Sequence, residues 1–84
     1  MFHVYILQSS ADNRFYIGMT NDLSRRIHEH NSGQTPSTKG RGPFKLIYTE
    51  SFGTRAEARK KEKFLKSGSG REWRNGIVRI HIPR

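Results

Sequence analysis

Tyr5, Tyr16, Arg26, His30 and Glu62 are the residues of this 84-residue chain whose types and positions suit the handling of phosphates, protons and metal ions. Glu62 breaks the ordinary pattern most clearly. On a helix, Ala58, Glu62 and Leu65 are spaced i, i+4 and i+7 and share one face, so a carboxylate occupies the middle of an apolar stripe. A carboxylate taken out of water is costly unless it is paired, protonated or bound to a metal. Two readings follow: a salt bridge to Lys45 or a helix arginine, or an oxygen ligand for one Mg²⁺ or Mn²⁺.

Arg26 is selected by helix geometry. In the run DLSRRIHEHN, Leu23 and Ile27 set the buried direction; Arg26 turns inward, while Arg25 projects about 160° from Leu23. An inward arginine can grip a phosphate oxygen bidentately and offset the charge that grows during phosphoryl transfer. Arg25 reads as a solvated or backbone-contacting charge. His30 falls between the buried direction and Arg26, and suits a general acid, a hydrogen-bond donor or an edge filler. His28 and His30 make no zinc pair, because two residues apart on a helix point in nearly opposite directions and no thiolate completes a site. Paired strand tyrosines are by themselves ordinary amphipathic filler.

These side chains need elements to hold them. Phe2 to Gln8 and Phe15 to Met19 are rich in β-branched and aromatic types and flank SSADNR, predicting a β-hairpin. Closure about Ser10 and Ala11 would set Tyr5 opposite Tyr16 and His3 opposite Gly18. Alternation then puts Val4, Ile6, Phe15 and Ile17 on a greasy face and His3, Tyr5, Tyr16 and Gly18 on the other. Asn21 and Asp22 are N-caps for a first helix that stops at Asn31, Ser32 and Gly33. Residues 32–43, dense in Gly, Pro, Ser and Thr, read as a loop before a strand over 44–50. Thr54 to Glu57 has the form of a capping box and launches a second helix to about Lys66. A second Ser-x-x-Glu, Ser69 to Glu72, opens a short helix carrying Trp73, and residues 77–84 form either a strand or an appendage.

The expected fold is α+β: a small three-stranded antiparallel sheet flanked by helices, in ββαβα order with a short C-terminal helix. Such a chain buries roughly 60–65% of its extended surface, so one domain is expected over 1–84, with its core at about 2–66 and the short helix and tail at 67–84. There is no cysteine, so neither a disulfide nor a thiolate cluster can staple the fold. No segment has the form of a signal peptide or the apolar length of a membrane span, which leaves a cytoplasmic protein as the expectation. Sixteen Lys and Arg against seven Asp and Glu give a net charge of +9. Such a field favours a polyanionic partner, without itself encoding sequence preference or chemistry.

His3-Val4-Tyr5 followed by Tyr16-Ile17-Gly18 resembles the paired signature of the GIY-YIG nuclease superfamily. Arg26, His30 and Glu62 in ARKKEKFLK stand where that family places its arginine, its histidine or tyrosine, and its metal-binding glutamate, so the resemblance spans residues 2 to 66. YIGMTNDL at 16–23, RRI at 25–27, HNSG at 30–33 and KSGSGRE at 66–72 are similar to the small stand-alone bacterial members. His3 departs from the first glycine of the signature, at a strand position that does not demand one. The resemblance implies a metal-dependent endonuclease acting on nucleic acid, DNA more than RNA, in repair or recombination, with one Mg²⁺ or Mn²⁺ held by Glu62. It implies that Tyr5 assists deprotonation of the attacking water, that Tyr16 holds the nucleophile or a phosphate oxygen, and that these two roles could be exchanged. Arg26 adds charge to the same centre.

In this setting Gly18 is expected to let a nucleic-acid backbone approach closely, and Arg25, Lys39 and Arg41 to contact phosphates without reading bases. No membrane and no small-molecule cofactor is expected. More distant members carry separate DNA-binding domains, so a protein partner could supply targeting here. Two rivals are a catalytically weak or inactive nucleic-acid-binding module of the same fold and a ribosome-associated structural protein. Retention of Tyr5, Tyr16, Arg26 and Glu62 argues against the first, and a glutamate on an apolar helix face against the second.

Overall fold

A computed structural model of the chain describes residues 1–34, 40, 42–68 and 70. The elements run β1 (Phe2–Ser9), β2 (Phe15–Thr20), α1 (Leu23–Asn31), β3 (Phe44–Phe52) and α2 (Arg55–Lys66). The strands form one antiparallel sheet in the order β2-β1-β3. The expected α+β class and ββαβα order are therefore observed. The short helix expected from Ser69 and the tail at 77–84 lie outside the described residues. Among the described residues, no helix is long and apolar enough to cross a membrane.

Each boundary has a local cause. Asp22 caps α1, its carboxylate accepting from the Arg25 N–H at 3.2 Å. Gly33 leaves that helix at φ 78, a conformation that costs glycine little. Thr54 caps α2, with Oγ1 accepting from the Glu57 N–H at 3.2 Å while the Glu57 carboxylate accepts from the threonine hydroxyl at 2.9 Å. The capping box is closed through side chains at both ends.

The hairpin register differs from its expectation. Tyr5 lies opposite Gly18, not Tyr16, and His3 opposite Thr20, not Gly18; Leu7 faces Tyr16. The turn is centred one residue later, which shifts the β2 partners by two, because Asn13 adopts φ 60, a left-handed geometry asparagine tolerates. The loop is closed by Ser9 N–H to the Arg14 carbonyl at 2.9 Å and Asn13 N–H to the Ser9 carbonyl at 3.0 Å. The Ser9 hydroxyl and the Asp12 carboxylate accept from the Ala11 and Arg14 N–H groups. The shift moves each residue of β2 by a whole side-chain period, so the assignment of residues to faces survives.

What changes is the character of the second face. Val4, Ile6, Ile47, Ala58 and Leu65 form one buried cluster, which α2 covers; Tyr5, Leu7 and Phe44 form another, joined by Tyr16, Leu23 and Ile27, which α1 covers. The sheet is packed on both faces, so the tyrosine face is not simply an open functional surface. A bulge at Ile47, between the Ile6–Tyr48 and Leu7–Leu46 pairs, lets β3 serve both clusters: Phe44 faces α1 while Ile47 and Tyr48 face α2. Fully burying one such aliphatic side chain contributes about 1.5–3 kcal/mol, so each layer matters in a chain this small. The end of α1 is tied to the start of β3, where Asn31 Oδ1 accepts from the Phe44 N–H at 2.7 Å.

Candidate active site

β1 carries Tyr5 under the last turn of α1, where its ring is 3% exposed. Its hydroxyl lies 3.1 Å from Nε2 of His30, itself 5% exposed, and the two rings meet edge-on with centroids 6.0 Å apart. Arg26, one turn earlier on α1, donates to the Tyr5 hydroxyl and, through Nη1, to Glu29 Oε1 at 3.2 Å. The hydrogen bond to Tyr5, reinforced by Glu29, holds the Arg26 guanidinium above its ordinary pKa against the opposing effect of burial, so it stays charged at any working pH. The Tyr5 hydroxyl and His30 Nε2 share one hydrogen bond, in which the hydroxyl donates when His30 is protonated on Nδ1 and accepts when it is protonated on Nε2. Burial foremost, and then the neighbouring Arg26 charge, lower the His30 pKa and keep the ring neutral. The four side chains form a chain of polarised hydrogen bonds: Glu29, Arg26, Tyr5, His30.

Gly18 completes the tyrosine's seat. A Cβ at this position would overlap the Tyr5 hydroxyl and ring, meeting Cζ at 2.5 Å. The space above Gly18 is thus filled by Tyr5. The chain's own tyrosine therefore requires glycine at this position, whatever approaches from outside. Tyr16, two residues before it on the edge strand, packs edge-on to Phe44 with centroids 5.2 Å apart, and Phe44 packs in turn on His30 at 5.9 Å.

The structure therefore brings Tyr5, Gly18, Arg26 and His30 together, with Tyr16 joined through Phe44. Arg25 stands apart, its side chain 71% exposed and paired with Glu29 at 3.6 Å, whereas that of Arg26 is 38% exposed. Lys39 and Arg41 lie outside the described residues. Glu62 is on α2, whose buried Ala58 and Leu65 cover the opposite face of the sheet from Tyr5. Its side chain is only 20% exposed, and Lys66 Nζ, one turn on, lies 3.5 Å from Oε2. The expected partners Lys45 and a helix arginine are replaced by Lys66 because i,i+4 spacing brings the lysine stem alongside without strain.

Sequence reasoning missed Glu29 and Phe44. The first was legible, since it stands three residues after Arg26 and four after Arg25, within reach of both. The second was not, because only the turn into β3 carries Phe44 to His30. Among the described residues, no three His, Cys, Asp or Glu gather into a metal-binding group.

Residues 1–75 match the family model described as the GIY-YIG catalytic domain. A UPF0213 protein of Halobacterium salinarum is 43% identical over 67 residues, covering 79% of this chain and 86% of the relative. A UPF0213 protein of Clostridium perfringens is 45% identical over 67 residues, covering 79% and 71%. The solution NMR structure of a UPF0213 protein from Bacillus halodurans superposes with a TM-score of 0.56 at 38% identity, covering 92% of this chain and 85% of that one.

Proposed function

We propose, since this chain belongs to the GIY-YIG family, that it is an endonuclease that hydrolyses phosphodiester bonds, in DNA rather than RNA. The hydrogen-bonded chain of Arg26, Tyr5 and His30 carries this reading. A tyrosine with an ordinary pKa near 10 is a weak base at neutral pH. Here the hydroxyl lies 3.1 Å from Nε2 of a neutral imidazole placed to accept its proton, with the Arg26 guanidinium beside the same oxygen. His30 takes the proton from Tyr5 as Tyr5 takes one from the attacking water. A substrate phosphate draws Arg26 outward, which opens the hydroxyl to that water while the guanidinium offsets charge on the phosphate. Tyr16, on the edge strand, orients the water or a phosphate oxygen.

Glu62 suits one divalent ion. It is a largely buried carboxylate whose ion-pair partner among the described residues is a half-exposed lysine, and Mg²⁺ characteristically rests on one or two carboxylates completed by waters and substrate phosphates. When bound there, the ion supplies Lewis acidity to the scissile phosphate. Because β2 is the edge strand, a nucleic acid laid along it reaches Arg26 on one side and α2 on the other.

The test is incubation of the purified chain with single-stranded, duplex and branched DNA and with RNA, in Mg²⁺, Mn²⁺ or EDTA, beside a Glu62→Ala variant. Cleavage is expected only with metal and only in the unsubstituted protein. Cleavage that survives EDTA or the substitution removes the role given to Glu62. A chain that shifts DNA in a gel yet cuts nothing is a binding module of the same fold.

A further inference from the structure

A groove of about 310 Å³ begins beside Arg26 and is bounded by Phe2, Thr20, Arg25, Glu29 and Arg55. It brings together the N-terminal half of α1, the end of β2 and the first residue of α2. Its charge is unbalanced: three guanidiniums face one carboxylate, and Glu29 is already shared between Arg25 at 3.6 Å and Arg26 at 3.2 Å. Arg55 has no acidic partner among the described residues. It is nonetheless oriented, since its guanidinium lies 5.5 Å from the centroid of the Phe2 ring. A cation–π contact of this kind positions a guanidinium without using up its N–H donors, which stay available to an anion.

We propose that Arg55, with Arg25, forms a second phosphate subsite that binds an adjoining phosphodiester of the strand gripped by Arg26. The assignment rests on the nuclease reading for its ligand and extends it by naming the path of the backbone: from Arg26, past the end of β2, to the start of α2. It also gives Phe2 a function at the surface, that of fixing the arginine. Arg55 touches the substrate backbone away from the reacting atoms, so it sets affinity and register and takes no part in proton transfer.

The test separates this subsite from catalysis by measuring binding in EDTA, where the metal-dependent cut does not proceed. Fluorescence anisotropy with a short labelled DNA duplex is read across a salt series for the full chain, Arg55→Ala, Arg55→Lys and Arg59→Ala. The last variant removes the same charge one turn along α2, away from the groove. Loss of one phosphate contact lowers the slope of log affinity against log salt by about 0.9. Arg55→Ala is expected to show that change with about 3- to 10-fold weaker binding. Arg55→Lys should keep the slope, and Arg59→Ala should leave both quantities unchanged. Equal effects of Arg55→Ala and Arg59→Ala would overturn the subsite and reduce Arg55 to general surface charge, even if the chain cuts DNA. The expected binding pattern in a chain that cuts nothing keeps the subsite and removes the nuclease reading. Thermal melting of each variant reports whether the fold is intact, and an Arg55→Ala melt that falls while the Arg55→Lys slope also collapses would show a structural role instead.

Discussion

Replacing Gly18 by alanine tests the seating of Tyr5 through a change of sign. In an unobstructed strand, alanine is favoured over glycine by about 0.5–1 kcal/mol, because it surrenders less backbone freedom on folding. At position 18 the added methyl overlaps the Tyr5 hydroxyl and ring. The ring is 3% exposed and bonded to His30 and Arg26, so it has little room to yield. Overpacking of this kind costs about 1–3 kcal/mol. The net change is a destabilisation of up to about 2.5 kcal/mol, and for a chain of this length each kcal/mol moves the melting temperature by about 4–8 °C. The decisive comparison repeats the substitution in a Tyr5→Leu background, which removes the hydroxyl and the far side of the ring. There Gly18→Ala should stabilise. Calorimetric melting of the four proteins in the cycle gives the coupling directly. A Gly18→Ala change that raises the melting temperature equally in both backgrounds would refute the packing argument.

Other consequences are smaller but as definite. The His30 pKa is lowered on folding, chiefly by burial. The unfolded chain therefore binds a proton at His30 that the folded chain refuses in the window below about pH 6.5. The stability linked to this group is fully present above that pH and declines as pH falls toward the lowered value. Urea midpoints across pH 5 to 8 should show this slope, and a His30→Gln variant should have a shallower one. Thr54→Ala removes the α2 cap and is expected to cost about 0.5–2 kcal/mol, read as a lower urea midpoint with an unchanged m-value.

The parts of the fold legible in the sequence were those fixed by neighbouring residues. Thr54 and Glu57 marked the start of α2 because a capping box is closed within one turn, and Asp22 and Gly33 bracketed α1 for the same reason. Helical spacing turned Arg26 inward and set Glu62 between Ala58 and Leu65. The hairpin register depended on whether Asn13 would adopt a positive φ, which strand propensities do not reveal, and the error moved Gly18 from beside His3 to beneath Tyr5. The bonding of Tyr5 to His30 was illegible because the partners are 25 positions apart. Only the register and the docking of α1 bring them together. Glu62 pairs with Lys66 and not with Lys45 because that lysine lies one turn along the same helix, whereas Lys45 is on a strand.

The central claim is that Tyr5, held between Arg26 and His30, is the group through which the attacking water loses its proton. The single-turnover rate of DNA cleavage by Tyr5→Phe against the unsubstituted chain, at saturating protein and with melting curves showing both folded, tests it most directly. General-base assistance of this kind is worth about 10²- to 10⁴-fold, and a fall of that size with unchanged DNA binding is the expected result. A rate within a few-fold of the unsubstituted chain would contradict the account.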